Sequence, residues 1–207
     1  IPYLHHQRGK VYFDLVFHIP SSNGIMKTII LNLEKLKMFN KSFDRVIGHE
    51  GGFQNMYGDR GNWTSGIVGE GLQKGTKFGI SAMSYPSFDI ENITVDMAKA
   101  VYLADWWLPL GMNRFQPAMQ YQMFDAAINH GRVSATKMLQ RSIGVKDDGI
   151  IGPQTLAAKS SIEKNDLLMM FIAERIAFFT RVKTFDMYGK GWMNRMATNL
   201  KLASQDN

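Results

Sequence analysis

Residues 43–53 read FDRVIGHEGGF, an amphipathic helix pattern that runs directly into two glycines. The apolar residues of this pattern recur at the spacing of a helix that buries one face: Phe39, Phe43, Val46 and Ile47. Glu50 follows Ile47 by three residues, so it falls on the same apolar face. Gly51 and Gly52 then favour the end of the helix. The stretch therefore predicts a helix over residues 39–50 with a carboxylate near its C-terminal end.

A carboxylate in that position is suited to acid catalysis. Partial burial disfavours the charged form of Glu50, and the negative end of the helix dipole disfavours it again. Both effects raise the pKa of Glu50, as a general acid that works near neutral pH requires. The helix pattern alone is equally compatible with a glutamate that points into solvent at a frayed helix end.

A second carboxylate, Asp59, lies nine residues further on in a segment that is dense in glycine. Of the 19 glycines in the chain, nine fall between residues 51 and 79. Such a run does not support a helix, and it predicts turns and a hairpin region over residues 51–81. We therefore expect Asp59 to be more solvated than Glu50 and to carry a charge. One protonated and one charged carboxyl group make up the catalytic pair of many glycoside hydrolases.

Six motifs follow one another between residues 38 and 198: Glu50-Gly-Gly-Phe53, Asp59-Arg-Gly61, Gly75-Thr-Lys-Phe-Gly-Ile-Ser81, Phe124-Asp-Ala-Ala-Ile-Asn-His-Gly131, Asp148-Gly-Ile-Ile-Gly-Pro-Gln-Thr155, and Glu174-Arg-Ile with Gly189-Lys-Gly-Trp192. In this order they resemble the glycoside hydrolase family 108 muramidases, which are mostly bacteriophage endolysins. Each motif alone is weak, and the ordered set is specific. The resemblance implies an α+β, mainly α fold: a lysozyme-like helical domain with a small Gly-rich β-hairpin region.

The same resemblance implies an activity. The chain would hydrolyse the β-1,4 bond between N-acetylmuramic acid and N-acetylglucosamine in peptidoglycan, with Glu50 as the general acid. Asp59 would stabilise positive charge or orient a water, helped by a threonine. Because residues 62–74 form an insertion that many relatives lack, that threonine is either Thr64, by its distance from Asp59, or Thr76, by its sequence context. We favour Thr76.

Further side chains are candidate substrate contacts: Trp63, Thr64, Trp107, Asp125 and Asn129. Trp63 lies in a glycine-rich loop that offers little core to enter, and Trp107 is able to stack on a sugar ring. Burial in the core is the alternative for Trp107. Asp125 and Asn129 are four residues apart on one helix face and match a motif of the resembled family. Their alternative role is a buried hydrogen-bond network that holds the helix to the hairpin.

The chain divides into three predicted regions. Residues 1–37 are an N-terminal appendage to which the sequence assigns no role, and Met38 is a natural start for an enzyme of this family. Residues 38–131 form the lysozyme-like catalytic region. Residues 132–207 form a helical region with a peptidoglycan-binding-like motif at Asp148–Thr155, packed in the same domain. Further helices are predicted at Thr94–Trp107, Gln116–Asn129, Ser134–Ser142 and Leu167–Phe185.

Composition limits the classes of partner. The net charge is +6 and the pI is about 9.5, which suits an anionic partner such as peptidoglycan or, through the basic segments, an outer-membrane surface. The basic residues are scattered and lack interleaved aromatics, so we expect no nucleic-acid partner. The chain has no cysteine, and its five histidines show no metal-ligand spacing. We therefore expect no cofactor and no metal, and a monomer.

The resemblance to endolysins also implies a location, the host bacterial cytoplasm, with access to the periplasmic cell wall at lysis. No signal peptide or transmembrane segment is predicted, because no apolar run approaches the ~20 residues needed. Three other functions remain open. A lytic transglycosylase would use the same glutamate and form an anhydro sugar. A non-catalytic protein would bind the wall through residues 148–155, and a basic membrane-active protein would not depend on Glu50.

Overall fold

The computed structural model describes residues 6–7, 10–11, 36–47 and 52–207. Glu50 and nearly all of the predicted N-terminal appendage lie outside these residues. The helices run in chain order as α1 (36–46), α2 (Val95–Tyr102), α3 (Pro117–His130), α4 (Arg132–Ser142), α5 (Pro153–Ser160), α6 (Lys164–Thr180) and α7 (Phe185–Asp206). Short 3-10 turns span Arg60–Asn62 and Met112–Arg114, and a π-helical turn spans Leu103–Trp107. The fold is mainly α-helical, as predicted.

Helix α1 buries the face that the apolar spacing indicates. Its buried residues recur at helical spacing: Met38, Phe39, Ser42, Phe43 and Ile47. The helix begins three residues before the predicted position 39, and the described part ends at residue 46, with a last backbone hydrogen bond from Ile47 N to Phe43 O. Its apolar face thus extends to the point where the chain leaves the described residues before Glu50.

Most of the later helices begin and end close to the predicted residues. Thr94 caps α2, since its hydroxyl oxygen accepts a hydrogen bond from Met97 N at 3.2 Å. Pro153 opens α5 in its first turn, where a missing N–H costs nothing. The single helix predicted over Leu167–Phe185 is wrong: α6 ends at Thr180 and α7 begins at Phe185. The apolar pattern continues across this break because both helices bury apolar residues.

The glycine-rich segment contains a small β-hairpin, as predicted. Strand β3 (Thr76–Lys77) pairs antiparallel with β4 (Ile80–Ser81), and Thr76 lies opposite Ser81. The two turn residues, Phe78 and Gly79, both have positive φ, at 52° and 72°, as a tight type I′ hairpin turn requires. A second short pair joins β1 (His6–Gln7) and β2 (Lys10–Val11) near the N-terminus.

The described residues fall into two compact units. One contains the described part of Phe43–Ala100, including the hairpin, and its core includes Ile80, Ala82, Ile90 and Ile93. The other contains Met38–Ser42 and Val101–Asn207. The predicted boundary at residues 131–132 does not coincide with this division, because α3 packs against α4, α6 and α7 within the second unit. Among the described residues, no helix has both the length and the apolar character needed to cross a bilayer.

Candidate active site

A cavity of about 490 Å³ opens beside the hairpin in the first unit. Its lining residues come from the end of α1, the glycine-rich segment and the hairpin: Val46, Ile47, Gly52, Phe53, Gln54, Thr76, Phe78 and Gly79. The volume is within the range of small-ligand sites, and the wall combines aromatic rings with an amide and a hydroxyl group. Glu50 lies outside the described residues, in the four-residue segment that joins the lining residues Ile47 and Gly52.

Gly75 makes one wall of this cavity possible. Its φ is +82°, and a Cβ at this position would lie 2.6 Å from both Gln54 O and the ring of Phe53. The absence of a side chain allows residues 53 and 54 to lie directly against β3. Gln54 and Thr76 then exchange two backbone hydrogen bonds, at 2.9 and 2.8 Å. The close approach brings Phe53, Gln54 and Thr76 to the same cavity.

The Thr76 hydroxyl group is oriented by a buried asparagine. Thr76 Oγ1 donates to Asn62 Oδ1 at 2.8 Å, and Asn62 Nδ2 in turn donates to Met56 O at 3.0 Å. Asn62 is 1% exposed, and its backbone oxygen accepts from Lys74 N and Gly75 N. Because the Thr76 hydroxyl proton is used toward Asn62, its oxygen is left to accept a hydrogen bond from a bound molecule. Nothing in the sequence singles out Asn62 beyond its place in the insertion.

Thr64 has a structural role in the insertion. Its Oγ1 accepts from Leu72 N at 2.9 Å, and its own N–H donates to Leu72 O at 3.0 Å. Thr64 thereby closes the loop that protrudes between residues 64 and 72. Thr64 is not among the residues that line the cavity, whereas Thr76 is. Of the two threonines that the sequence left open, the geometry supports Thr76.

Asp59 begins the short 3-10 turn that leads to Asn62. Its Oδ1 accepts from Gly61 N at 2.8 Å, as an N-terminal cap does. Asp59 is half-buried and is not among the cavity-lining residues. This capping contact links Asp59 to the position of Asn62 and, through Asn62, to Thr76. The predicted electrostatic role of Asp59 stays a prediction.

Trp63 is buried, which corrects its assignment as an open sugar platform. It is 7% exposed, its Nε1 donates to Tyr57 O at 2.9 Å, and its ring packs edge-on against Tyr57 at 5.2 Å. The glycine-rich segment builds a small core around this tryptophan. The aromatic residues that do line the cavity are Phe53, which is 39% exposed, and Phe78. Both lie in motifs of the resembled family. The sequence around a phenylalanine does not show, however, whether the ring lines a cavity or lies in the core.

Trp107 is a core residue, and its assignment as a substrate contact is also corrected. It is 1% exposed, and its ring packs edge-on against Phe39 and Phe124, each at 5.4 Å. Its neighbour Trp106 is half-buried and lies against Tyr102. The π-helical turn that ends at Trp107 points the larger apolar surface inward, so a sugar ring cannot reach it.

Asp125 also has a structural role. It belongs to a buried hydrogen-bond network, as the alternative prediction states, but the network connects different elements. Asp125 is 1% exposed, and its carboxylate accepts from Arg175 at 2.6 Å, from Arg195 Nε at 3.2 Å and from Asn199 at 2.8 Å. These contacts join α3 to α6 and α7 rather than to the hairpin. Asn129 is exposed and donates from Nδ2 to Asp125 O at 2.7 Å. Substrate contact by Asn129 stays a prediction.

The charges around Asp125 determine its protonation. Burial by itself raises the pKa of Asp125, but the positive charge of Arg175 and the hydrogen bond from Arg195 outweigh it. The net result is a pKa below the ordinary value for aspartate. Asp125 is therefore held charged, and its two arginine partners compensate that charge inside the helical unit.

The Asp148–Thr155 motif is organised around a buried glutamine. Gln140 is 1% exposed; its Nε2 donates to Asp148 Oδ1 at 2.7 Å and to Ile150 O at 3.0 Å, while its Oε1 accepts from Gly149 N at 2.8 Å. Thr155 completes the group at 3.1 Å from Gln140 Nε2. The hydrogen bonds from Gln140 and Ile150 lower the pKa of Asp148. The polar groups of the motif are thus used to close their own loop.

The mainly helical architecture, with its small hairpin beside a cavity, is lysozyme-like. Residues 43–131 match the family described as Glycosyl hydrolase 108, and residues 134–197 match the family described as Predicted Peptidoglycan domain. A glycosyl hydrolase 108 region is thus followed, on its C-terminal side, by a peptidoglycan domain. It is a peptidoglycan hydrolase of the glycoside hydrolase class.

A solved structure of SagA from Brucella abortus has the same fold. The two chains are 25% identical, with a TM-score of 0.66, and the match covers 82% of this chain and 95% of SagA. No curated protein matches the chain. The structural likeness therefore spans both family regions.

Proposed function

We propose that the chain is an N-acetylmuramidase that cleaves the β-1,4 bond between N-acetylmuramic acid and N-acetylglucosamine, with Glu50 as the general acid. The observation that carries the proposal is that the described residues on either side of segment 48–51, which contains Glu50, line one cavity. Glu50 is two residues from Gly52 and three from Ile47, and both of these line the cavity.

The Thr76 hydroxyl supports hydrolysis by water. Its hydroxyl group is oriented by donation to Asn62, and its oxygen is placed to accept a hydrogen bond from a water molecule in the cavity. In the proposed mechanism Glu50 protonates the glycosidic oxygen as the bond breaks; a water held by Thr76 then attacks the sugar and passes its proton to a carboxylate, that of Glu50 or Asp59. Asp59 stabilises the positive charge that develops on the sugar or, through the Arg60–Asn62 turn, holds Asn62 and Thr76 in place.

Replacement of the proposed acid tests the assignment. Glu50→Gln preserves the size of the side chain and removes its proton, so hydrolysis of purified peptidoglycan should fall by about 10²-fold or more. Glu70→Gln, a matched change at an exposed acid in the insertion, should leave the rate unchanged. Turnover by Glu50→Gln close to that of the unaltered chain would remove Glu50 from the mechanism. A non-catalytic or membrane-active protein would show the same behaviour for both variants.

The products separate hydrolysis from the transglycosylase reaction. Attack by water leaves reducing N-acetylmuramic acid ends, whereas a lytic transglycosylase leaves 1,6-anhydro ends. We expect mass spectrometry of digested peptidoglycan to show reducing ends. Mainly anhydro products would assign the cavity to transglycosylation with the same acid.

The biological setting is proposed on the motif resemblance alone. By that resemblance the chain is a bacteriophage endolysin that accumulates in the host cytoplasm and reaches the wall at lysis. It would act as a monomer, with an anionic outer-membrane surface as a further contact of its basic segments.

A further inference from the structure

A second cavity, of about 360 Å³, lies in the helical unit. It is lined by Arg141 of α4, Phe178 of α6, and Arg181 and Val182 of the turn that follows α6. All four residues fall within the region that matches the peptidoglycan domain. Two guanidinium groups beside an apolar floor form a site of mixed character, which suits an anion attached to an aliphatic body.

The two arginines already converge on one carboxylate oxygen. Glu174 Oε1 lies 3.1 Å from Arg181 Nη2 and 3.7 Å from Arg141 Nη1. Arg141 also donates from Nε to Asp147 at 2.8 Å. A guanidinium has five N–H donors, so these contacts leave donors on both arginines for a ligand. Both side chains remain accessible, with 41% of Arg141 and 60% of Arg181 exposed.

The apolar floor is held rigidly from behind. The ring of His130 lies 4.9 Å from the ring of Phe178, and Phe179 lies 6.0 Å from it on the same helix. These two ring contacts support the position of Phe178 in the floor of the cavity. A carboxylate held by the arginines would place its attached aliphatic chain on Phe178 and Val182.

We propose that this cavity binds a free carboxylate of the peptidoglycan stem peptide. The C-terminal region then recognises the peptide part of the substrate. This inference rests on the proposed function, with peptidoglycan as the substrate. Stem peptides carry several free carboxylates on short aliphatic side chains, whereas the glycan backbone offers mainly hydroxyl and acetamido groups. The Asp148–Thr155 loop is a poorer candidate because Gln140 occupies its polar groups. Arg141 follows Gln140 directly and lies on the accessible side.

Binding of a soluble peptide tests the site. The probe is the tetrapeptide of L-alanine, γ-D-glutamate, meso-diaminopimelate and D-alanine, measured by titration calorimetry against the full chain. We expect the Arg141→Gln, Arg181→Gln double variant to raise the Kd at least about tenfold, and each single variant to raise it less. Arg132→Gln, an exposed change on the same helix α4, removes the same charge as either single variant and should leave the Kd unchanged. The same tetrapeptide with amidated carboxylates should bind as weakly as it does to the double variant.

Two further measurements make the outcome decisive. Replacement of both arginines by lysine keeps the charge but loses the planar guanidinium groups, so it should weaken binding. This variant provides the test if the glutamine variants do not fold. Equal Kd values for the unaltered chain and the folded variants, or for the free and amidated peptides, overturn the proposal. Hydrolysis of peptide-free glycan strands tests the muramidase separately. Loss of that activity with intact peptide binding would reject the enzyme function and keep this site.

Discussion

At the scale of single residues, Asp125 is the centre of a group of charges inside the helical unit. Its two arginine partners differ: Arg175 is fully buried, while the Arg195 side chain is 38% exposed. Arg175 Nε lacks a hydrogen-bond partner among the described residues, so its compensation comes through Asp125 and Gln122. A buried cation of this kind is tolerated only while its counter-charge remains.

Loss of that counter-charge should be costly. Asp125→Asn should lower the free energy of unfolding by about 3–5 kcal/mol, because Arg175 is left buried without an anion. Asp147→Asn, which breaks the exposed pair with Arg141, should cost far less, since exposed ion pairs contribute little to stability. Urea unfolding at neutral pH measures both. Equal effects of the two changes would mean that the buried network contributes no more than a surface ion pair.

Matched substitutions also distinguish the roles of the two threonines, Thr76 and Thr64. Thr76→Val removes the oriented hydroxyl and should lower kcat about tenfold, the effect of losing a hydrogen bond of about 1.4 kcal/mol. Thr76→Ser should retain most of the rate. Thr64→Val loses the acceptor for Leu72 N and should loosen the insertion without a comparable loss of rate. A larger loss of kcat for Thr64→Val than for Thr76→Val would reverse the assignment.

At the scale of elements, the contact between the end of α3 and the end of α6 contains a half-buried histidine. His130 closes α3, its Nε2 is buried without a hydrogen-bond partner among the described residues, and its ring packs against Phe178 and Phe179. Burial, followed by the positive charge of Arg175, lowers the pKa of His130 to about 4. The packing of these two helices therefore depends on an uncharged imidazole.

This contact should make the helical unit sensitive to acid. The folded pKa of about 4 lies below the unfolded value of about 6.5, so the unfolded state binds more protons between these limits. Stability should be full above about pH 6.5 and should fall as the pH drops toward 4. His130→Leu should flatten this part of the profile, which urea unfolding at pH 7, 6, 5 and 4 would measure. An unchanged slope in the variant would assign the acid sensitivity to other groups.

At the scale of the whole molecule, the boundaries of the two family regions fall at different residues from the boundaries of the two compact units. The glycosyl hydrolase 108 match ends at residue 131, after α3, whereas the compact units divide at Ala100. Helix α3 belongs to the hydrolase match in sequence, yet it packs with α4, α6 and α7 of the peptidoglycan region. We therefore expect that neither family region is stable when expressed without the other.

The role of residues 1–37 belongs to the same scale. A chain that begins at Met38 should keep its fold and its hydrolysis of purified peptidoglycan, although it loses the exposed helical residues Leu36 and Lys37. A matched chain that begins at Glu34 retains all of α1 and separates helix fraying from loss of the appendage. Residues 1–37 carry five Lys and Arg against two acids, so any help with adsorption to intact cells should fade at high salt. Failure of both truncated chains to fold or cleave purified wall would place the appendage within the enzyme.

The sequence by itself determined the fold class, several of the helices, the hairpin and the resemblance to the family. These follow from local information: helical spacing of apolar residues, glycine density, caps such as Thr94 and Pro153, and motifs in order. Tertiary structure decided what local information cannot contain. Trp63 and Trp107 share a residue type with sugar platforms, but their neighbours bury them. Likewise Thr76 and Thr64 were distinguished only by partners distant in sequence, because a hydroxyl group acquires a role from what surrounds it.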